Sequence, residues 1–266
     1  MAGRLEGKIA FITGAGSVGP GRGNGRATAI RFAQEGAKVF ATDINLANLD
    51  ETLALAGDAA HNITTAKLDI FQASAIEESV QACIQKYGAL DILVNVVGGS
   101  AKGGPVEMTE EVWDAQVDFN LKSVFLTCKY ALPELIKREK GSIINFASTS
   151  GTRWTGSAQI AYAATKAGVI QFSKVLAVQY AKQNIRVNTI VPGQLHTPMV
   201  ETRLAKQRVG GDVELLLKQR QSRIPLPFMG DGRDTANAAL FLASDESRFI
   251  TGTEIVVDGG MSARCD

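Results

Sequence analysis

Seven short runs of apolar and β-branched residues recur along this chain, with helical segments between them. The runs cover residues 8–13, 38–43, 64–69, 91–96, 142–147, 186–191 and 254–258. Most are apolar at every position instead of at alternate ones. A strand with water on one face alternates, whereas a strand covered by helices on both faces has no polar side to show. The intervening segments 27–35, 75–87, 109–135, 161–182 and 234–242 have helical spacing, with Ile76, Val80 and Ile84 at four-residue steps in the second. This alternation predicts an α/β fold over residues 1–266, a single domain built on one doubly wound, parallel, seven-stranded sheet.

Two stretches break the rhythm. Residues 14–25 form a long glycine-rich loop, in a chain whose 27 glycines exceed the roughly 7% of ordinary proteins. Residues 199–229 form a helical excursion in which Leu204, Leu215, Leu216 and Leu217 are interleaved with Arg203, Lys206, Arg208, Lys218 and Arg220. An insertion of that length reads as a substrate lid or as a surface that packs a partner subunit.

Composition excludes several classes. With 45% hydrophobic and 21% charged residues the chain is not a disordered one. Twenty-eight basic against 27 acidic residues leave a net charge of +1, which gives no footprint for nucleic acid or an anionic membrane. No run reaches 18 apolar residues and residues 1–12 lack a signal sequence, so neither a membrane span nor secretion is expected. Three widely spaced cysteines and two histidines offer neither a disulfide framework nor a zinc spacing. A reduced, cytoplasmic compartment and no metal are expected.

The glycine loop carries the first chemical signal. The first strand runs into Thr13-Gly14-Ala15-Gly16, then Gly23-Asn24-Gly25, and a helix follows from Arg26. Glycines permit positive φ and let backbone amides approach a pyrophosphate, and the helix N-terminus adds partial positive charge. Asp43 closes the next strand, where a carboxylate accepts from an adenosine ribose; a turn or helix-cap role is its other reading. Further on, Tyr162 and Lys166 lie four residues apart on one helix face among small neighbours. An ammonium within about 4–6 Å favours the phenolate by roughly 1–3 pKa units. A tyrosine tuned in that way takes a proton from an alcohol or returns one to a carbonyl.

Taken together these motifs resemble the short-chain dehydrogenase/reductase family, and the resemblance covers essentially the whole chain. It implies a Rossmann-type domain and a catalytic set of Asn120, Ser148, Tyr162 and Lys166. Ser148 ends the strand 141–148 and would bond the substrate oxygen, while Asn120 would hold a helix distortion and a water linked to Lys166. The usual glycine loop is enlarged here by about five residues within 17–22, with Gly14, Gly23 and Gly25 taken as the family positions and Asn24 between them. Asp69 and Ile70 match an adenine-contacting turn. Asn95 and Gly98 match a strand end that meets the cofactor, although Val96 and Val97 replace the usual second Asn and Ala. Pro192, Gly193 and Thr197 match the nicotinamide edge, with Tyr162 and Lys166 also contacting the cofactor. His196 is treated as a loop residue.

Cofactor choice rests on a conflict. Asp43 would repel a 2′-phosphate, which favours NAD. Arg22, just before Gly23, points to NADP. The carboxylate is weighted more heavily. The resulting expectation is an NAD-dependent oxidoreductase that interconverts a secondary alcohol and a ketone, with Tyr162 as general acid/base. Alternatives are an NADPH-dependent carbonyl reductase, a non-catalytic dinucleotide-sensing module, and an isomerase or dehydratase with recycled NAD. Candidate pocket walls are residues 99–104 and 149–154, Gln194, His196 and the lid. Lys102 and Arg153 are candidates to meet an anionic substrate, solvated charge being the simpler reading, and Trp154 offers a flat wall. The small-molecule substrate itself is not defined. Relatives pair through the helices predicted at 109–135 and 161–182, so a homo-oligomer, dimer or tetramer, is expected.

Overall fold

The computed structural model describes residues 3–265. Seven parallel strands form one sheet in the order β3-β2-β1-β4-β5-β6-β7. They are β1 (Ile9–Thr13), β2 (Lys38–Asp43), β3 (Ile63–Lys67), β4 (Ile92–Asn95), β5 (Gly141–Phe146), β6 (Ile185–Pro192) and β7 (Glu254–Val257). Each predicted strand is present, with ends shifted by at most two residues. Helices α1 (Asn24–Gln34), α2 (Ala47–Ala56) and α3 (Ala73–Tyr87) follow β1, β2 and β3, and α4 (Glu110–Val117) and α5 (Ser123–Lys137) follow β4. Helix α6 (Ile160–Gln179) joins β5 to β6, and α7 (Ala205–Val209), α8 (Val213–Gln221) and α9 (Gly232–Ala243) lie between β6 and β7.

Alternate residues of each central strand feed opposite layers. Phe11, Leu93 and Ile143 pack with Ile76, Leu135 and Val169 on the side of α3, α5 and α6. Ile12, Val94 and Ile144 pack with Ile30, Phe32 and Leu240 on the side of α1 and α9. All five residues of β1 are buried, which is why its sequence shows no alternation.

The sequence pattern misses α2. Only Leu49, Thr52 and Ala56 of that helix are buried, so its apolar stripe is narrow. The single helix expected over 109–135 is divided. A wide turn at Asp118–Lys122 separates α4 from α5, because the Asn120 Nδ2 inserts into the ladder and donates to the Gln116 carbonyl at 3.0 Å.

Strand order reverses between β1 and β4, whose ends are in register at Thr13 and Asn95. Connections leave these two strands in opposite directions and open a crevice beyond their carboxyl ends. Most of the candidate site residues line it.

Candidate active site

The crevice is a cleft of about 830 Å³ that runs from Asp43 and Asp69 at one end to Tyr162, Arg208 and Arg220 at the other. Backbone geometry shapes the first end. Gly14 has φ of +66°, and a Cβ on Gly25 would lie 1.8 Å from the Gly14 carbonyl oxygen, so these two positions admit only glycine. Helix α1 starts at Asn24 behind Gly23, which supplies no side-chain cap. Its first amides therefore remain free to bind an anion at the cleft wall.

Asp43 is held at the cleft edge. Its Oδ2 accepts from the Gly16 amide at 3.2 Å and its Oδ1 from the Asn45 amide at 3.0 Å. Gly16, which the loop reading did not select, lies so close that a Cβ there would come within 2.7 Å of that Oδ2.

The enlarged loop folds outward and is riveted from beneath. Arg26 is only 1% exposed; it donates to the Gly19 carbonyl at 3.2 Å and the Asn48 carbonyl at 2.9 Å, and pairs with Glu51 at 2.8 Å. Glu51 in turn accepts from the Gly21 amide at 3.0 Å. Arg22 turns away from Asp43 and lines a separate depression with His196, Asp231 and Arg233. His196 is exposed there and lies 3.0 Å from Glu201.

At the other end four residues converge. Asn120 is fully buried; its Oδ1 accepts from the Gly99 amide at 3.0 Å and its Nδ2 donates to the Gly99 carbonyl at 3.1 Å. Lys166 is 2% exposed and donates to the Phe146 carbonyl at 2.9 Å. Its Nζ lies 5.8 Å from the centre of the Tyr162 ring. A Cβ on Gly98 would fall 2.9 Å from both Lys166 Nζ and Asn120 Oδ1, so the missing side chain leaves the approach to the lysine open. Tyr162 hydrogen-bonds Ser148, whose Oγ also accepts from the Ser150 amide at 3.2 Å.

The electrostatics differ from the simplest expectation. Burial pushes the Tyr162 phenol above its usual value, and the Ser148 hydrogen bond and the charges of Arg208 and Arg220 oppose that rise. Burial also lowers the Lys166 ammonium to about 8. The groups that favour phenolate in this structure are thus Ser148, Arg208 and Arg220.

Most of the expected cofactor residues line the cleft: Gly14, Gly23, Asn24, Gly25, Asp43, Asp69, Ile70, Gly98, Pro192, Gly193 and Thr197. Asn95 does not. Its amide donates to Asn145 at 2.8 Å and its Oδ1 accepts from Thr127 at 2.7 Å, so it ties β4 to β5 and α5 inside the core. Among the proposed substrate walls Gln194 is present, whereas Lys102, Arg153 and Trp154 do not line the cleft, and Trp154 is 74% exposed. The sequence reading did not single out Gln159 or the stacked pair Phe71 and Phe119, whose ring centres are 5.5 Å apart. In the sequence Arg208 and Arg220 are members of a basic stretch, and helical spacing does not tell which of those cations turn inward.

The fold agrees with comparisons to known proteins. The family model described as Enoyl-(Acyl carrier protein) reductase matches residues 19–262. This chain belongs to the short-chain dehydrogenase/reductase family. It is 42% identical to the 3-oxoacyl-(acyl-carrier-protein) reductase FabG of Thermotoga maritima, over 97% of this chain and 99% of that one. It is 41% identical to the 2,5-dichloro-2,5-cyclohexadiene-1,4-diol dehydrogenase LinX of Sphingobium indicum, over 98% and 99% of the two chains. A crystal structure of a short-chain dehydrogenase/reductase from Burkholderia xenovorans superposes with a TM-score of 0.95 at 59% identity, covering both chains completely. The chain is accordingly an oxidoreductase acting on CH–OH groups, in a family that uses nicotinamide dinucleotides. The cleft fits such a group: uncapped amides at α1 suit a diphosphate, and Asp43 suits ribose hydroxyls. Among the described residues no helix is long and apolar enough to cross a membrane.

Proposed function

We propose that this enzyme interconverts a secondary alcohol and a ketone with NAD as the redox partner. The convergence of Tyr162, Ser148 and Lys166 on one cleft wall, with Asn120 buried behind Gly98, carries this reading. Gly14, Gly23, Asn24, Gly25 and Gly98 would line the dinucleotide path, Asp43, Asp69 and Ile70 its adenosine end, and Pro192, Gly193 and Thr197 its nicotinamide end. A bound nicotinamide supplies the hydride acceptor or donor. The protein's own residues handle the proton. Ser148 orients the substrate oxygen, and Tyr162 takes the hydroxyl proton in oxidation or returns it in reduction. Lys166 and Asn120 hold the buried side of that proton route, with Gly98 leaving it open.

NAD is preferred over NADP because Asp43 stands at the cleft edge while Arg22 lines another depression. A non-catalytic sensor has no use for a tyrosine and lysine assembled in this way. Segment 199–229 serves as the lid of this single domain, packed on a small core of its own, Val200, Ala205 and Leu216. A homo-oligomer joined through α5 and α6 is supported by the exposed Phe125, Val175 and Val178, while Val124, Leu126 and Val169 of the same helices belong to the core. The free thiols of Cys83 and Cys128 suit a reducing cytoplasm.

The test is nicotinamide absorbance with purified protein, NAD⁺ or NADP⁺, and a panel of cyclic, aryl, sugar and hydroxy-acid alcohols. Absorbance rising with NAD⁺ is the expected result, and a rise confined to NADP⁺ overturns the cofactor assignment. Full turnover in Tyr162→Phe overturns the mechanism.

A further inference from the structure

Charge is distributed unevenly along the cleft. Its only lining carboxylates among the described residues are Asp43 and Asp69, at the adenosine end. Its arginines, Arg203, Arg208 and Arg220, all come from the lid, and Arg208 and Arg220 lie close enough to Tyr162 to act on its phenol. Arg223 lies close enough to both Arg208 and Arg220 to repel them.

None of Arg208, Arg220 and Arg223 forms an ion pair with a carboxylate among the described residues. Their partners are neutral. Arg208 donates to Gln159 Oε1 at 2.9 Å, Arg220 to the Leu195 carbonyl at 3.0 Å and Arg223 to the Thr155 carbonyl at 3.1 Å. These bonds fasten the lid to the cleft wall, but a neutral donor would do that without mutual repulsion. Arg220 is only 6% exposed, and burial together with its cationic neighbours lowers its guanidinium to about 10. A buried cation without a counter-charge is costly, so its presence calls for an anion.

Two buried polar atoms of cleft-lining residues are left without partners. Arg220 Nε is buried without a hydrogen-bond acceptor, and Gln194 Oε1 is buried without a donor. The orientation of the Gln194 amide is fixed by its Nε2, which donates to the Thr155 carbonyl at 3.0 Å. Both residues line the cleft. Arg220 Nε needs an acceptor, and a substrate carboxylate supplies one.

Resting on the oxidoreductase reading above, we propose that the substrate is an anionic hydroxy or keto acid, its carboxylate held by Arg220 and Arg208 beneath the lid. The arginines also place positive charge near Tyr162, so binding the carboxylate and tuning the phenol draw on the same groups.

The test pairs each acid with its neutral primary amide: 3-hydroxybutyrate with 3-hydroxybutyramide, and 3-hydroxycyclohexanecarboxylate with its carboxamide. Wild-type protein is expected to favour the acid in kcat/KM by at least about tenfold, the ratio that 1.4 kcal/mol gives. Arg208→Gln should reduce the ratio to near one while leaving NAD⁺ binding intact, and Arg208→Lys should retain part of it. Arg220→Gln should act likewise, and Arg208 gives an independent readout where the buried substitution impairs folding. Thermal melting in chloride-free buffer separates this proposal from the redox reading. Acids that raise the melting temperature of wild type but not of Arg208→Gln support the anion site even if nothing in the panel is oxidised. Equal protection by acid and amide, or an acid preference that survives Arg208→Gln, overturns it.

Discussion

Asn120 grips Gly99 at two points, accepting from its amide at 3.0 Å and donating to its carbonyl at 3.1 Å. The same Nδ2 donates to the Gln116 carbonyl, which places the wide turn between α4 and α5. One buried amide thereby sets both the helix distortion and the loop beyond β4. Asn120→Ala removes the grip and leaves the Gly99 groups unpaired. Turnover should fall by about tenfold or more, and stability by roughly 1–3 kcal/mol. Steady-state kinetics beside a denaturant melt separates the two effects.

Asp43→Ser should shift cofactor preference toward NADP by about tenfold or more, because a carboxylate facing a phosphate is removed. Fluorescence titration of NADH and NADPH measures the ratio. Unchanged preference would mean that Asp43 serves only to fix Gly16 and Asn45.

Alcohol oxidation should accelerate as pH rises. Tyr162 must be ionised to accept the proton, and burial holds its phenol above the usual tyrosine value. The ionised fraction therefore grows about tenfold per pH unit across the neutral range. Ketone reduction uses the protonated phenol and should not share this rise. Tyr162→Phe should lower turnover in both directions by about 10²–10⁴. Initial rates from pH 6 to 9 decide the point.

Lys166→Met should abolish turnover and stabilise the free protein. The lysine's folded-state value of about 8 lies below its ordinary 10.5. Below pH 8 the folded protein must carry a buried ammonium, which opposes folding; the penalty disappears above 10.5, where neither state is charged. After allowing for the lost bond to the Phe146 carbonyl, the gain at pH 7 is about 2 kcal/mol, or roughly 4–8 °C in Tm. Melting curves at pH 7 and pH 10 should show the difference shrinking toward alkaline pH.

Arg26→Ala should release the enlarged loop. It removes the pairs with Glu51 and with the Gly19 and Asn48 carbonyls. Glu51 is partly exposed, so the loss is about 1–3 kcal/mol rather than that of a fully buried pair. Limited proteolysis within residues 17–22 should quicken and the KM for the cofactor should rise. An unchanged cleavage pattern would show that α2 holds the loop by other contacts.

Much of the sheet was legible because strands covered on both faces are continuously apolar, as in β1 and β5. Of the proposed catalytic set, Tyr162 and Lys166 were legible from their spacing on one helix face, a short-range fact, whereas Ser148 and Asn120 were legible only through the family resemblance. The narrow stripe of α2 was less visible, and the division of 109–135 at Asn120 was legible only through the family resemblance. The first has few buried positions, and the second depends on Gly99, a residue 21 positions away.

The sequence by itself determined the alternation of strands and helices, the glycines at the turn after β1, and the spacing of the reacting residues. Those features follow from local sterics and from which side chains leave water. Only the tertiary structure decided that Asn95 belongs to the core, that Arg22 turns away from Asp43, and that Arg208 and Arg220 face Tyr162 while Lys206 and Lys218 remain exposed. Each depends on how distant segments pack, and a basic stretch reads the same whether its cations meet water or a substrate.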